Sequence, residues 1–388
     1  MARDAVIIGV GDVALEKGRV VGGGSPLQVQ ARAAKMAVDD AGISIGDIDG
    51  LAVAGLWGVP GPGQLATITL GEYLGIRPRY ADGTNIGGAA FESHVEHAAI
   101  AIERGFCDTV LVAYASTQKS DRSRQLGGRP SVLTMQFENV WGVPQPVGGY
   151  AMAAKRHMHE FGTTSEQLAE IAVATRKWAQ LNPAATMRDP MTIDDVLNSM
   201  PISDPLRLND CCLVTDGGGA VIVTTEDNAR ALGKPAVHVR GFGESHTHWH
   251  IGAMPDLARL TAAEASGKTA MEMAGVRHDD IDVVEVYDSF TITVLLTLEA
   301  LGFCERGEGG AFVSNQRTAP GGAFPLNTNG GGLSYAHPGM YGIFLLIEAV
   351  RQLRGEGGDR QVDGAKTALV HGTGGTLSSG ATVILSGG

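Results

Sequence analysis

Cysteine is scarce in this 388-residue chain: Cys107, Cys211, Cys212 and Cys304, two of them adjacent. Their spacing fits neither a zinc ligand set nor a redox pair. That excludes a disulfide-stapled scaffold and reads as a reduced, cytoplasmic protein. Positive charge is the minority sign, 30 Lys and Arg against 42 Asp and Glu, for a net charge of −12. Nucleic acid and anionic membrane surfaces are thereby excluded as main partners, while a local basic patch for a phosphate-bearing ligand stays open. Long apolar runs are also missing. Nothing approaches the roughly 18 consecutive apolar residues of a spanning helix. The run Ala5–Val10 carries no cleavage signature, so it reads as a first buried strand and not as a signal peptide.

Glycine, by contrast, is abundant, with 55 residues clustered in Gly-Gly and Gly-Gly-Gly runs. At 44% hydrophobic and 19% charged residues the chain is an ordinary globular protein with room for two or three packed units. The densest Gly stretch runs from Asn327 to Gly342 and holds Tyr335, His337 and Tyr341. A helical run, Ile343–Leu353, follows at once. A Gly loop feeding a helix N-terminus aims free N–H groups and side chains at whatever sits in front of it. The competing reading is a tight turn before a core helix.

Strand and helix signals alternate along the chain. Strands are expected at Ala5–Val10, Ile48–Ala54 and Thr109–Tyr114. Helices are expected at Leu27–Ala41, stopped by Gly42, and from Gly87 to Ala101, with a loop at Gly58–Gly63. This pattern predicts a layered α/β fold with mostly parallel strands. The chain also repeats itself. Ala41–Val53 lies over Ala274–Val286, each with Ala-Gly, then Asp-Ile-Asp, then a strand. The Gly turn near Gly87 echoes the one near Gly330, Thr109–Val112 echoes Thr367–Val370, and Gly219–Val223 echoes Gly380–Leu385. Four correspondences in one order indicate a duplicated α/β unit whose seam is a favoured ligand site. Residues 117–202 interrupt the first copy. They hold a loop region, Pro130–Val147, a long helix, Ser165–Gln180, and a short one near Ile193–Met200, and are expected to form a cap. The division expected is 1–116 with 203–235 as the N-terminal half, 117–202 as the insertion, and 236–388 as the C-terminal half.

Asp40-Ala-Gly-Ile43, Asp47-Ile-Asp49, Ser203-Asp-Pro-Leu206, Asp216–Val223 and His337-Pro338 resemble signatures of the thiolase superfamily over nearly the whole chain. The resemblance implies a thiolase fold, a duplicated five-layer αβαβα core with a helical insertion in the first half. More narrowly, Val286-Tyr-Asp-Ser-Phe-Thr291 with Ser334–Gly342 resembles the lipid-transfer-protein and sterol-carrier-protein type of thiolase-like aldolases that shorten steroid side chains. The departures carry information. A thiolase needs a nucleophilic Cys at the start of the first-half Gly-rich helix, and the corresponding stretch Asp82–Phe91 has none. The second Cys belongs in a C-terminal loop that here reads His371-Gly-Thr-Gly-Gly375. Tyr287 stands where related thiolases place a His.

Without a thiolate no acyl-enzyme forms, but cleavage of a C–C bond beside a thioester needs only an oxyanion donor, one base and one acid. The resemblance therefore implies a retro-aldolase acting on a β-hydroxyacyl-CoA, with a 17-hydroxysteroid giving a 17-ketosteroid and propionyl-CoA. His337 is the expected oxyanion donor, and Tyr287 and Tyr341 are the expected proton carriers, in either order. Asp288 is a turn cap or an orienting group, His371 a second donor or acid, and Tyr335 a packing residue or a helper. No cofactor is expected beyond the CoA of the substrate. The resemblance also implies a small separate OB-fold, zinc-ribbon partner and a homodimer core, giving a heterotetramer. His246, His248 and His250 would share one face of a strand, but no carboxylate or Cys at ligand spacing accompanies them, so pocket wall or subunit contact is preferred to a metal site. The rivals are a lyase of a non-steroid acyl-CoA and a non-catalytic acyl-CoA or lipid carrier.

Overall fold

The computed structural model describes residues 3–55, 61, 63, 65–123 and 132–388. Most of the loop expected at Gly58–Gly63 and the start of the one expected at Pro130–Val147 lie outside the described residues. Nine strands form one sheet among the described residues: β1 (Ala5–Asp12), β2 (Gly50–Ala52), β3 (Tyr80–Asp82), β4 (Thr109–Ser116), β5 (Gly217–Thr225), β6 (Val237–His246), β7 (Val283–Val286), β8 (Thr367–Gly374) and β9 (Ser379–Gly387). Their order is β7-β8-β9-β6-β1-β5-β4-β2-β3. The helices that matter below are α1 (Pro26–Ala41), α2 (Ala90–Glu103), α3 (Val147–Phe161), α4 (Ser165–Leu181), α5 (Thr261–Ala274), α6 (Thr291–Ala300) and α7 (Gly342–Leu353).

Two half-sheets meet where β1 pairs β6 through only Val6↔His238 and Ile7↔Val237. On β4, Leu111 and Ala113 face an outer core with Val29, Ala33 and Ala37 of α1. Val110 and Val112 face the opposite way, into a central core with Phe91 and Val95 of α2, Ile343 and Leu346 of α7, and Val370 of β8. Leu369 of β8 faces a third core with Ala263 and Ala270 of α5 and Leu295 of α6. Period-two alternation on β4 and β8 thus divides five layers, with α2 and α7 between the two half-sheets.

The repeat is physical. α1 ends on Gly42 at φ 69° and α5 on Gly275 at φ 67°. Asp49 accepts from the N–H groups of Asp108 and Thr109, which open β4, each at 2.9 Å. Asp282 does the same for Lys366 and Thr367 at β8, at 2.8 and 2.9 Å. These are the Asp-Ile-Asp residues of the two copies. Each copy also has a register shift in its first strand, at Ile7/Gly9 and Val239/Gly241, where a helix backbone comes so close that only glycine fits.

Several expectations need correction. The sheet is mixed: β7/β8, β2/β4 and β2/β3 are parallel, but β1, β5, β6 and β9 run antiparallel to their neighbours. Central β1 accepts an antiparallel partner on each side, and β8 returns as β9 after a short turn. Within Pro130–Val147 the described part contains a helix at Val132–Phe137 and a 3₁₀ turn at Asn139–Trp141. The helix α3 was not expected. The helix expected at Ile193–Met200 stops at Leu197. His246 ends β6, and His248 and His250 lie beyond it, so the three do not share a strand face. His248 is bonded to the Thr376 carbonyl at 3.0 Å, and His250 stacks on Phe137 at 6.1 Å. Among the described residues no helix is long and apolar enough to cross a membrane.

Candidate active site

Tyr287 is the first residue past β7, and its backbone N–H donates to the His371 carbonyl at 3.0 Å, extending the parallel ladder by one rung. Its ring lies against Gly88, in the stretch just before α2. A Cβ on Gly88 would fall 2.0 Å from Cε2 of that ring. The Cys-free segment of the first half therefore supplies the space that the second-half phenol fills. The Tyr287 hydroxyl meets Nε2 of His337 at 2.8 Å, with the Gly339 carbonyl at 3.5 Å as a further acceptor.

Tyr341 stands at the N-cap of α7, its ring 5.9 Å from that of Tyr287 at 88° and 6.3 Å from that of His337 at 24°. Its hydroxyl donates to Asn329 Oδ1 at 2.8 Å. Burial, then the nearby Asp288 and Glu285, hold this phenol well above the usual tyrosine range. Tyr341 consequently keeps its proton at neutral pH. All three side chains are buried.

The His337 loop is held from the first half and the insertion. The His337 N–H donates to Thr215 Oγ1 at 3.0 Å, and its carbonyl accepts from Gln118 Nε2 at 2.9 Å. Tyr114 of β4 donates its hydroxyl to the Pro338 carbonyl at 2.5 Å and accepts from the Met340 N–H at 3.2 Å. From outside, Arg176 of α4 donates to Ser334 Oγ at 2.8 Å, and Asn182 donates to the Asn329 carbonyl at 2.8 Å. The sequence did not mark Tyr114, Gln118, Thr215 or Asn329. The first three lie over 100 positions from the loop, and no local pattern connects them to it.

Asp288 resolves as a cap. Its carboxylate accepts from the N–H groups of Gly332 at 2.6 Å and Leu333 at 3.1 Å, fastening the turn Gly331–Tyr335 to the end of β7. Burial lifts it to about 7 against those two bonds. Two expected residues do not join the cluster. The Tyr335 hydroxyl donates to Asp12, whose carboxylate also accepts from Arg351 Nη2 at 2.6 Å. Tyr335 thus braces the loop against β1. His371 turns toward α5, because Tyr287 and His371 project from opposite faces of their strands. Its Nδ1 meets Thr382 Oγ1 at 2.8 Å, Thr382 meets Ser266 of α5 at 3.0 Å, and burial pushes it down to about 3. Its expected place as a second oxyanion donor is not supported by this orientation. Burial also raises the thiols of Cys107, Cys211 and Cys304, the first and last to about 12, so thiolate is suppressed at each.

Residues 243–387 match a family model described as thiolase C-terminal domain-like. The chain is 34% identical over 359 residues to an acetyl-CoA acetyltransferase of Methanothermobacter thermautotrophicus, covering 90% of this chain and 91% of the relative. It is 32% identical over 383 residues to a steroid side-chain-cleaving aldolase of Thermomonospora curvata, covering 95% of each. It is 33% identical over 368 residues to the 17-hydroxy-3-oxo-4-pregnene-20-carboxyl-CoA lyase of Mycobacterium tuberculosis, covering 92% of each. Among solved structures, a chain of an Ltp2-ChsH2(DUF35) aldolase superposes with TM-score 0.87 at 31% identity, covering 99% of this chain and 98% of that one.

Proposed function

Since the chain belongs to the thiolase superfamily, beside its lipid-transfer-protein and sterol-carrier-protein type aldolases, we propose that it is a carbon–carbon lyase that cleaves a β-hydroxyacyl-CoA by retro-aldol chemistry. The substrate proposed is a 17-hydroxysteroid with a short CoA-linked side chain, and the products are a 17-ketosteroid and propionyl-CoA. The observation that carries this reading is the Tyr287–His337 hydrogen bond at 2.8 Å, with Tyr341 at its edge and Gly88 opposite.

The free phenol of tyrosine, with a pKa of about 10, is a poor base at neutral pH. Coupled to Nε2 of His337, Tyr287 accepts the proton of the substrate β-hydroxyl as its own proton passes to the imidazole. The Cα–Cβ bond then breaks, its electron pair enters the thioester enolate, and the β carbon leaves as a ketone. The imidazolium so formed places a positive charge beside the developing enolate. In its resting bond Nε2 is engaged by Tyr287, so this charge, and not a spare N–H, is the contribution proposed for His337. Tyr341 protonates the enolate carbon and is left as a phenolate, and passage of the proton from His337 to that phenolate returns all three groups to their starting forms. No side chain is acylated, and no group beyond the CoA of the substrate is called on.

The same reading includes a separate small OB-fold, zinc-ribbon partner, a homodimer core within a heterotetramer, and a cytoplasmic location. It is supported by the two-component name of the aldolase structure and by the scarcity of cysteine in the chain. The test is to incubate the protein, alone and with such a partner, with a 17-hydroxysteroid acyl-CoA and to follow products by mass spectrometry. Equal amounts of 17-ketosteroid and propionyl-CoA are expected. Tight binding without cleavage under any condition would leave a carrier instead.

A further inference from the structure

Glu92 lies in the first turn of α2, and the chemistry above does not use it. Its side chain is fully buried, and among the described residues neither carboxyl oxygen meets a hydrogen-bond partner. Three segments close around it. A Cβ on Gly342, the residue after Tyr341, would fall 2.4 Å from one Glu92 oxygen and 2.3 Å from the Gly88 carbonyl oxygen. A Cβ on Gly372 of β8 would fall 2.2 Å from the same Glu92 oxygen. Two glycines are thus required to seat this carboxyl, which touches the start of α7 and lies behind the Gly88 that the Tyr287 ring leans on. An ionised carboxylate with no hydrogen bond in such a place is costly, whereas a neutral acid is tolerated.

We propose that Glu92 is a positioning residue that functions only as a neutral carboxylic acid, wedged behind Tyr287 and Tyr341, and that its ionisation switches the site off at alkaline pH. Its activity arm rests on the proton-transfer reading above, while its stability arm stands alone. Of the segments that enclose it, one carries Tyr341 immediately before Gly342, and Gly88 has the Tyr287 ring against it. Glu348 of α7 is engaged by Arg360 at 2.8 and 2.9 Å. On β8 the His371 ring points to the side of the strand away from Gly372, toward Thr382 and Ser266. Among its α2 neighbours, Ser93 donates to Glu244, His94 is bonded to the Thr84 carbonyl at 3.0 Å, and His97 to Asp82 at 2.7 Å. Glu96 is raised to about 7 by burial and by Glu244. Consistent with that setting, burial lifts Glu92 from 4.5 to about 8, opposed only by its own backbone N–H and with no charged neighbour contributing. A carboxyl raised on folding binds more protons folded than unfolded between those two values, so its contribution to stability falls as pH climbs through that window and levels off above it.

The test compares wild type with Glu92→Gln and Glu92→Leu. Tm is measured from about pH 5 to about pH 9.5, and cleavage rate over the same range. Both variants are expected to be more thermostable than wild type by a margin that opens from about pH 5 and levels off near pH 8. Between pH 7 and pH 9 the wild-type rate is expected to fall roughly tenfold, and that of Glu92→Gln less than about twofold. Wild-type and variant Tm curves that run parallel, an alkaline fall that persists in Glu92→Gln, or failure of both uncharged variants to fold would each overturn the proposal. If wild type cleaves nothing at any pH, the functional reading fails and the Tm curves still decide on Glu92.

Discussion

The two halves of the molecule are built alike and equipped differently. In each, a helix ends on a left-handed glycine, an Asp from Asp-Ile-Asp caps the neighbouring strand, and a Gly-rich entry leads to a central helix, α2 or α7. Yet Tyr287, His337 and Tyr341 all come from the second half. At equivalent points the first half offers Val53-Ala54-Gly55 after β2 and the Gly87–Ala89 turn before α2. Its contribution is space, at Gly88, and support, from Tyr114 and Thr215, with Gln118 added by the insertion. A duplicated scaffold has thus concentrated the proposed proton carriers on one side, with the other side acting as their mould.

The sharpest way to break that contrast is to change one atom on the equipped side. Tyr287→Phe is expected to lower kcat by about 10³-fold, within the usual range for a proton carrier, while circular dichroism and Tm stay near wild type. A change on the mould side has the next largest effect. Gly88→Ala drives a methyl into the Tyr287 ring and is expected to cost about 1–3 kcal/mol of stability as well as most of the activity, read by denaturant melts and turnover. Tyr114→Phe removes one hydroxyl that bonds both Pro338 and Met340. It is expected to destabilise by about 1–2 kcal/mol and to lower kcat more than it raises KM, because the loop carrying His337 loosens. The smallest effect is expected from Cys212→Ala, whose rate should match wild type. A large loss there would mean that sulfur participates.

Much of this contrast was legible in the sequence because it rests on short-range chemistry. Ala-Gly helix ends, Asp-Ile-Asp caps and the Asn327–Gly342 run are local signals, and they located the duplication and two of the three clustered side chains, His337 and Tyr341; Tyr287 came from the family resemblance of Val286–Thr291. What escaped notice depends on long-range geometry. Tyr114 reaches Pro338 across 224 positions. His371 lies in β8 beside the strand that ends at Tyr287, but strand parity turns its ring toward α5. The helix α3 begins with Val147-Gly-Gly149, poor helix formers that hide its start, and it is stabilised by apolar contacts with other elements. Glu92 looks like an ordinary first-turn acid until the glycines of two other segments are seen around it.

Intact-mass measurement of the protein, quenched while 17-ketosteroid is accumulating, addresses the central claim most directly. The account predicts an unmodified polypeptide mass at every time point, because Tyr287, His337 and Tyr341 move only protons. A transient gain equal to an acyl group on any side chain would contradict it.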